Sequence, residues 1–209
     1  MIRTGELAAL AALVLGVMAW SWHQPADRLT WWLEAFPVLI ALPLLAATRA
    51  RFPLSRLAYW LIAAHSIVLL VGAHYTYARV PLGFWMAEAF GFARNHYDRI
   101  GHLAQGFIPA ILAREILLRR RVLAPGGWLF FLVCCFVLAL AASYELLEWW
   151  TAVIAEEGAI AFLGTQGDPW DTQWDLFLAL LGGTAALALL GRIHDRQLAG
   201  LAAPPDRGR

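Results

Sequence analysis

Charge is scarce in this sequence, and one kind of charged residue is missing altogether. Only 15% of the 209 residues are charged, and all sixteen basic residues are arginine. A soluble domain of average composition carries about 25% charged residues, so the low value argues against a soluble globular protein. The net charge of +1 is spread over connecting segments and forms no basic cluster, which argues against binding of nucleic acid.

Cysteines and the strong catalytic motifs are equally sparse. Cys134 and Cys135 are adjacent in an apolar run, where neighbouring side chains of a helix point in different directions. They predict neither a structural disulfide nor a zinc site. The sequence contains no HExxH motif, no GxSxG motif and no histidine box, so it carries no signature of a zinc peptidase, a serine hydrolase or a di-iron lipid oxidase.

Long apolar blocks are what the sequence has in abundance. Hydrophobic residues make up 61% of the chain and fall into blocks of roughly 17 to 22 residues, the length that a membrane-spanning helix needs. The predicted fold is an all-α polytopic membrane bundle with one transmembrane domain, residues 1–195, and a short polar cytoplasmic tail, residues 196–209. The six predicted spans cover residues 6–22, 31–48, 57–78, 100–118, 128–151 and 174–191.

The arginines predict the orientation of these spans. With both termini in the cytoplasm, twelve arginines fall on the inner side of the membrane and four on the outer side. The excess of arginine in cytoplasmic segments favours this arrangement, in the inner membrane of a bacterium. Two long segments, residues 79–99 and 152–173, then face outward. They are rich in aromatic residues and too apolar for free loops, which predicts interfacial or re-entrant helices that roof the outer side.

Polar residues gather at one depth in this topology, near the outer ends of four helices. Their spacing places each pair on one helix face: Asp98 with His102, Glu145 with Glu148, and Asp171 with Asp175. Because a carboxylate at the bilayer centre costs about 2.5 to 3.5 kcal/mol, such residues are expected to face a cavity, a metal or an arginine. Simpler roles remain open at this stage, namely a helix cap for Asp98, a structural ion-pair set for the two glutamates and a turn for Asp168.

These residues predict a site with three kinds of role. The predicted catalytic residues are Glu145, Glu148, His102 and Asp98. The predicted metal ligands are Asp171, Asp175, Glu145 and His102, a set that suits Mg²⁺, Ca²⁺, Mn²⁺ or Zn²⁺. The predicted substrate-binding residues are Arg94, Arg99, Gln105, Tyr144 and His74. The other histidines, among them His65, His96 and His194, are predicted to be interfacial, packing or loop residues.

Three blocks of sequence resemble the signature of a known family. "RNHYDRIGHLAQGFIPA", "YELLEWW" and "FLGTQGDPWDTQWD" are similar to the YjdF-type bacterial inner-membrane proteins, whose function is not established. The likeness extends from about residue 31 to residue 191. A looser resemblance links the acidic motif of the fifth span and the aspartate-led last span to VanZ-like membrane proteins, although the asparagine expected in that last span is missing. Both resemblances imply an architecture and neither implies a reaction.

The sequence leaves three functions open. The first is an enzyme that acts on a membrane phospholipid or polyprenyl-phosphate lipid, with a divalent cation or with unaided acid–base catalysis by Glu145 or Glu148 with His102. The second is a transporter that relays ions through the same acids, which the apolar inner halves of the helices disfavour. The third is a non-catalytic protein that binds an amphiphile. Membrane lipids are the expected partners in each case.

Overall fold

The computed structural model describes residues 2–155 and 165–201, and these residues form helices and turns without a β-strand. The helices are α1 (Thr4–Trp22), α2 (Arg28–Thr48), α3 (Arg56–Tyr75), a 3-10 turn (Tyr77–Arg79), α4 (Pro81–Phe90), α5 (Tyr97–Arg119), α6 (Gly127–Ala155) and α7 (Asp171–Ala199). Each of the six predicted spans is helical, which confirms the predicted all-α membrane bundle.

Five of the helices are long and apolar enough to cross a membrane: α1, α2, α3, α6 and α7. The helix α5 falls outside this group because it carries Asp98, Arg99, Arg114, Glu115 and Arg119. It lies at the centre of the bundle, against α3, α6 and α7, and its 23 residues extend for about 35 Å. A central helix faces other helices more than lipid, so it can carry polar residues that a lipid-facing helix cannot.

Small residues bring α5 and α7 into close parallel contact. A Cβ atom on Gly106 would collide with the Ala179 carbonyl oxygen, and one on Gly182 would collide with the Leu103 carbonyl oxygen. The next residue, Gly183, faces Val137 of α6. Gly182 and Gly183 therefore allow close helix approach, and the α5–α7 contact is the most extensive in the described structure.

The apolar cores divide the bundle into two groups of three helices. One core lies among α1, α2 and α3 and includes Trp31 and Leu70. The other lies among α5, α6 and α7 and includes Ile111 and Val137. The two groups meet mainly where α3 packs on α5. Elsewhere they leave a cavity between α2 and α3 on one side and α5 and α6 on the other.

A proline in α2 links these two groups. Because Pro37 has no backbone N–H, the Leu33 carbonyl one turn earlier has no helical partner. The Tyr144 hydroxyl of α6 donates a hydrogen bond to this carbonyl at 3.5 Å. Tyr144 also lines the wall of this cavity.

The segment of residues 79–99 contains the helix α4, which confirms a short helix there. The second long segment is described only at its two ends, since α6 ends at Ala155 and residues 156–164 lie outside the described part of the chain. The two segments are joined by Asn95 and Gln166. The Asn95 backbone N–H donates to Gln166 Oε1 at 3.2 Å, and Gln166 Nε2 donates to the Asn95 carbonyl at 2.8 Å.

At the C-terminal end of the chain, α7 continues to Ala199, and residues 202–209 are not described.

Candidate functional site

His102 of α5 lies at the centre of a cluster of carboxylates. Its Nε2 atom is 3.4 Å from Asp98 Oδ1, 3.6 Å from Glu145 Oε1 and 3.9 Å from Asp175 Oδ2. These four side chains come from three helices. Glu148 adds a fourth carboxylate, because one oxygen of Glu148, one of Glu145 and a ring nitrogen of His102 lie within 4.8 Å of one another. We call Asp98, His102, Glu145, Glu148 and Asp175 the acid cluster.

The helix contact described above positions this cluster. Gly106 of α5 touches Ala179 of α7, and the two helices run in the same direction. One turn earlier on each helix, His102 meets Asp175. One further turn along α5 brings Asp98 onto the same face as His102. The sequence spacing that pointed to a shared face is therefore realised in the structure.

The cluster is buried, and several of its polar atoms have no hydrogen-bond partner. The side chains of His102 and Asp175 are 6% and 3% exposed. Within the described ranges, His102 Nδ1, Glu145 Oε1 and Asp175 Oδ1 are buried without a partner. Buried polar atoms are normally satisfied, because an unpaired one costs about 1 to 3 kcal/mol. The concentration of such atoms around one imidazole makes this location the candidate site.

An elongated cavity of about 500 Å³ begins at the acid cluster. We call it the groove. Asp98, His102 and Glu148 line one end, and apolar side chains such as Leu45, Leu69 and Leu112 line most of the remainder. Thr48, Phe52 and Arg120 line the opposite end. The groove therefore combines a polar head with a long apolar body.

Arg94 and Arg99, predicted to bind substrate phosphate, contact carboxylates beside the cluster. Arg94 Nη2 lies 2.5 Å from Asp171 Oδ1 and 3.1 Å from Asp168 Oδ2, and Arg99 Nη2 lies 2.9 Å from Asp168 Oδ2. Asp168 also accepts the Trp170 backbone N–H at 2.9 Å, as a turn residue does. Burial, with Arg99 and Arg94 close by, lowers the pKa of His96.

The remaining predicted residues separate into those that reach the groove and those that do not. Gln105 and Tyr144 line the groove. Asp171, a predicted metal ligand, pairs with Arg94 and belongs to neither group of side chains that could share an ion in the described structure. His74 lies elsewhere, because its Nδ1 is 3.1 Å from the Ser21 carbonyl and its ring is 4.3 Å from that of Trp20.

Sequence reasoning missed one carboxylate of the groove, Glu34 of α2. This side chain is 3% exposed and lines the groove at the acid-cluster end. Its Oε2 atom has no hydrogen-bond partner in the part of the chain that the structure describes. A signal was present, because Glu34 is the only acid in a helix of 21 otherwise uncharged or basic residues. Membrane helices rarely keep such an acid without a role.

Sequence reasoning also missed a second buried cluster at the other end of α5. Glu115 accepts hydrogen bonds from the Ser55 backbone N–H at 2.8 Å and from Arg119 at 2.8 Å, and its second oxygen lies 3.1 Å from His194 Nε2. Arg114 lies 3.1 Å from His194 Nδ1. His194, predicted to be a packing or loop residue, is fully buried in this cluster. Both oxygens of Glu115 and both ring nitrogens of His194 have partners, which indicates a structural role.

Comparison with known proteins agrees with the resemblance seen in the sequence. A family model described as "Predicted membrane protein (DUF2238)" matches residues 6–196. The inner membrane protein YjdF of Escherichia coli (strain K12) is 52% identical over 172 residues, which is 82% of this chain and 82% of the relative. No solved structure matches the chain.

Proposed function

The chain belongs to the DUF2238 family of membrane proteins, and we propose that its acid cluster binds a divalent cation and cleaves a phosphoryl group from a membrane lipid. In this proposal the groove holds the apolar part of the lipid and the acid cluster receives its headgroup. We further propose that the protein resides in a bacterial inner membrane with both termini in the cytoplasm. The cluster would then act on the outer leaflet.

The spacing of the donor atoms is the observation that carries this proposal. Asp98, Glu145 and Asp175 place oxygens at 3.4 to 3.9 Å from His102 Nε2. Strong hydrogen bonds are shorter, about 2.7 to 3.2 Å. Ligands that share one ion at about 2.1 to 2.4 Å are roughly 3.4 to 3.9 Å apart in tetrahedral geometry and roughly 3.0 to 3.4 Å apart at adjacent octahedral positions. His102 is therefore spaced to share one ion either with Asp98 and Asp175 or with Glu145 and Glu148, since the donor atoms of each group lie within 4.8 Å of one another.

The ligand types indicate which cation the cluster would take. Carboxylate oxygens suit Mg²⁺, Ca²⁺ and Mn²⁺, whereas an imidazole nitrogen suits Zn²⁺ and other transition metals. Each group combines one histidine with two carboxylates, a mixed set that favours Mn²⁺ or Zn²⁺ over Mg²⁺ and Ca²⁺. The negative charge of the cluster would repel a lipid phosphate without such an ion, so binding of the phosphate should require the metal.

Each residue has a defined part in the proposed hydrolysis. The cation would polarise a phosphoryl oxygen and lower the pKa of a bound water. Glu148 lies beside Glu145 on α6 and takes the proton from this water as its oxygen bonds to phosphorus. The bond from phosphorus to the leaving oxygen then breaks, and the proton held by Glu148 passes to that oxygen. Asp98 and Asp175 would hold the cation together with His102.

Metal content and thermal stability test the cation site directly. Purified wild-type protein should bind about one equivalent of Mn²⁺ or Zn²⁺, measured by elemental analysis, and a chelator should lower its Tm. Asp175→Asn, Glu145→Gln and His102→Ala should insert in the membrane but lose the ion and the chelator effect. Glu88→Gln serves as the control, because Glu88 is an exposed acid of α4. Unchanged metal content in all three cluster variants would refute the site.

Release of inorganic phosphate from lipid phosphates in detergent micelles tests the reaction itself. Wild-type protein with Mn²⁺ should release phosphate, and Glu148→Gln should lower kcat by about 100-fold or more, in the range for a lost general base. A protein that binds the ion without phosphate release would instead be a non-catalytic amphiphile-binding protein. Ion transport would need polar groups that continue from the acid cluster toward the other side of the membrane. The buried Glu115 and His194 at the other end of α5 do not line the groove, so transport is disfavoured.

A further inference from the structure

We infer that the groove holds one long hydrocarbon chain, so that the substrate is a polyprenyl-type lipid phosphate and not a two-chain phospholipid. The headgroup in this inference rests on the proposed function, whereas the chain is argued from the groove alone. Two features of the groove carry the inference: its length and its opening.

The groove is as long as the membrane is thick. Its wall on α5 begins at Asp98 and continues through Gln105 and Leu112 to Arg120. These positions follow one face of the helix, and the 22 steps from Asp98 to Arg120 extend for about 33 Å. The hydrocarbon core of a bilayer is about 30 Å thick, and each chain of a phospholipid occupies one leaflet, half of that thickness. The groove therefore fits a chain that extends through both leaflets.

The chain can enter from the side, between α2 and α6. Leu44 of α2, Ile116 of α5 and Leu140 of α6 line the groove and are 57%, 48% and 37% exposed on the surface of the bundle. All three belong to helices at membrane depth, so the opening faces hydrocarbon. Only a few polar side chains interrupt the apolar wall below the acid cluster, among them His65 and Ser66 of α3. An apolar chain already in the bilayer thus reaches the groove without crossing water.

Binding of matched phosphate lipids tests this inference. Long-chain polyprenyl phosphate and phosphatidic acid both carry a phosphate monoester, so they differ in their chains. With Mn²⁺ present, native mass spectrometry of the purified protein should show at least tenfold tighter binding of the polyprenyl phosphate. Equal or tighter binding of phosphatidic acid would overturn the inference.

A pair of tryptophan substitutions on α2 tests the position of the chain. Ala41 lines the groove about 10 Å below Glu34, whereas Ala46 is exposed and does not line it. Ala41→Trp should weaken binding of long-chain polyprenyl phosphate at least tenfold and leave binding of short-chain geranyl phosphate unchanged. Ala46→Trp should change neither. If Ala41→Trp and Ala46→Trp bind the long chain equally well, the chain does not occupy the groove.

The outcome for the chain can be separated from the outcome for the metal. A wild-type protein that prefers the polyprenyl probe but shows no bound metal and no phosphate release supports the groove assignment and refutes the proposed reaction. A protein that releases phosphate equally from both lipids supports the reaction and refutes the assignment of the chain.

Discussion

His194 Nε2 lies 3.1 Å from Glu115 Oε2, and both side chains are fully buried. At the other end of the same helix pair, His102 Nε2 lies 3.9 Å from Asp175 Oδ2. Both pairs join an imidazole of one helix to a carboxylate of the other. Both oxygens of Glu115 and both ring nitrogens of His194 have polar partners. In the described part of the chain, His102 Nδ1 and Asp175 Oδ1 have no hydrogen-bond partner. One pair therefore stabilises the α5–α7 contact, and the other belongs to the candidate ligand site.

Substitution of Glu115 should destabilise the protein strongly. Glu115→Gln removes the carboxylate that faces Arg119 and His194 and leaves a buried guanidinium without its counterion. Loss of one partner of a buried ion pair costs about 3 to 5 kcal/mol, so we expect the free energy of unfolding to fall by about 3 kcal/mol. Unfolding of the purified protein in mixed micelles of increasing denaturing detergent would measure this loss.

Asp175→Asn provides the matched comparison in the presence of a chelator. This substitution removes a buried carboxylate whose neighbours are mainly other acids, so it relieves repulsion. We expect the free energy of unfolding to change by less than about 1 kcal/mol, or to rise. A loss as large as that of Glu115→Gln would show that the acid cluster is a structural ion-pair set.

Glycine substitutions should separate close helix contact from helix propensity. Gly182→Ala places a methyl group against the Leu103 carbonyl and must push α5 away from α7. Overpacking of this kind costs about 1 to 3 kcal/mol. Gly191→Ala, on the same helix, meets no atom within 4 Å and gains helix propensity of up to about 1 kcal/mol. Thermal unfolding should therefore show a lower Tm for the first variant and an unchanged or higher Tm for the second.

Much of the fold follows from the sequence because the membrane restricts the choices. Apolar blocks of span length must become helices, since unpaired backbone groups cannot be left in lipid. The depth of Asp98, Glu145 and Asp175 could be predicted from the topology, and helical spacing predicted which of them share a face. These two constraints were sufficient to bring most of the acid cluster together.

The rest of the site depends on how each helix is rotated, which the sequence does not specify. Glu34 lines the groove because α2 turns that face toward α5. His194 meets Glu115 because small residues let α7 lie against α5. The pairing of Arg94 with Asp171 depends on the path of two connecting segments. Such segments have no repeating sequence pattern from which their path could be predicted. Pairwise contacts between helices and loops therefore had to come from the structure.

The predicted orientation can be tested with reporters fused to the connecting segments. The structure places Arg114 within α5, in contact with His194 and Asp195, so this arginine is better left out of the count for cytoplasmic segments. Eleven arginines against four remain, which still favours cytoplasmic termini. Alkaline phosphatase fused after residue 91 should be active, and a fusion after residue 123 should be inactive. The reverse pattern would place the acid cluster on the cytoplasmic side.

Arg94 should control the local stability of the segments beside the acid cluster. It donates to the Thr165 carbonyl at 2.6 Å and pairs with Asp168 and Asp171, so it connects the start of α5 to the start of α7. Arg94→Ala removes these bonds, and hydrogen bonds to charged groups contribute about 1.5 to 3 kcal/mol each. Hydrogen exchange of residues 91–96 and 165–170 should therefore speed up at least tenfold.

Arg79→Ala is the control, because Arg79 is exposed on the 3-10 turn that precedes α4. Its substitution should leave hydrogen exchange in both segments unchanged. Equal exchange in the two variants would mean that Arg94 does not hold these segments together.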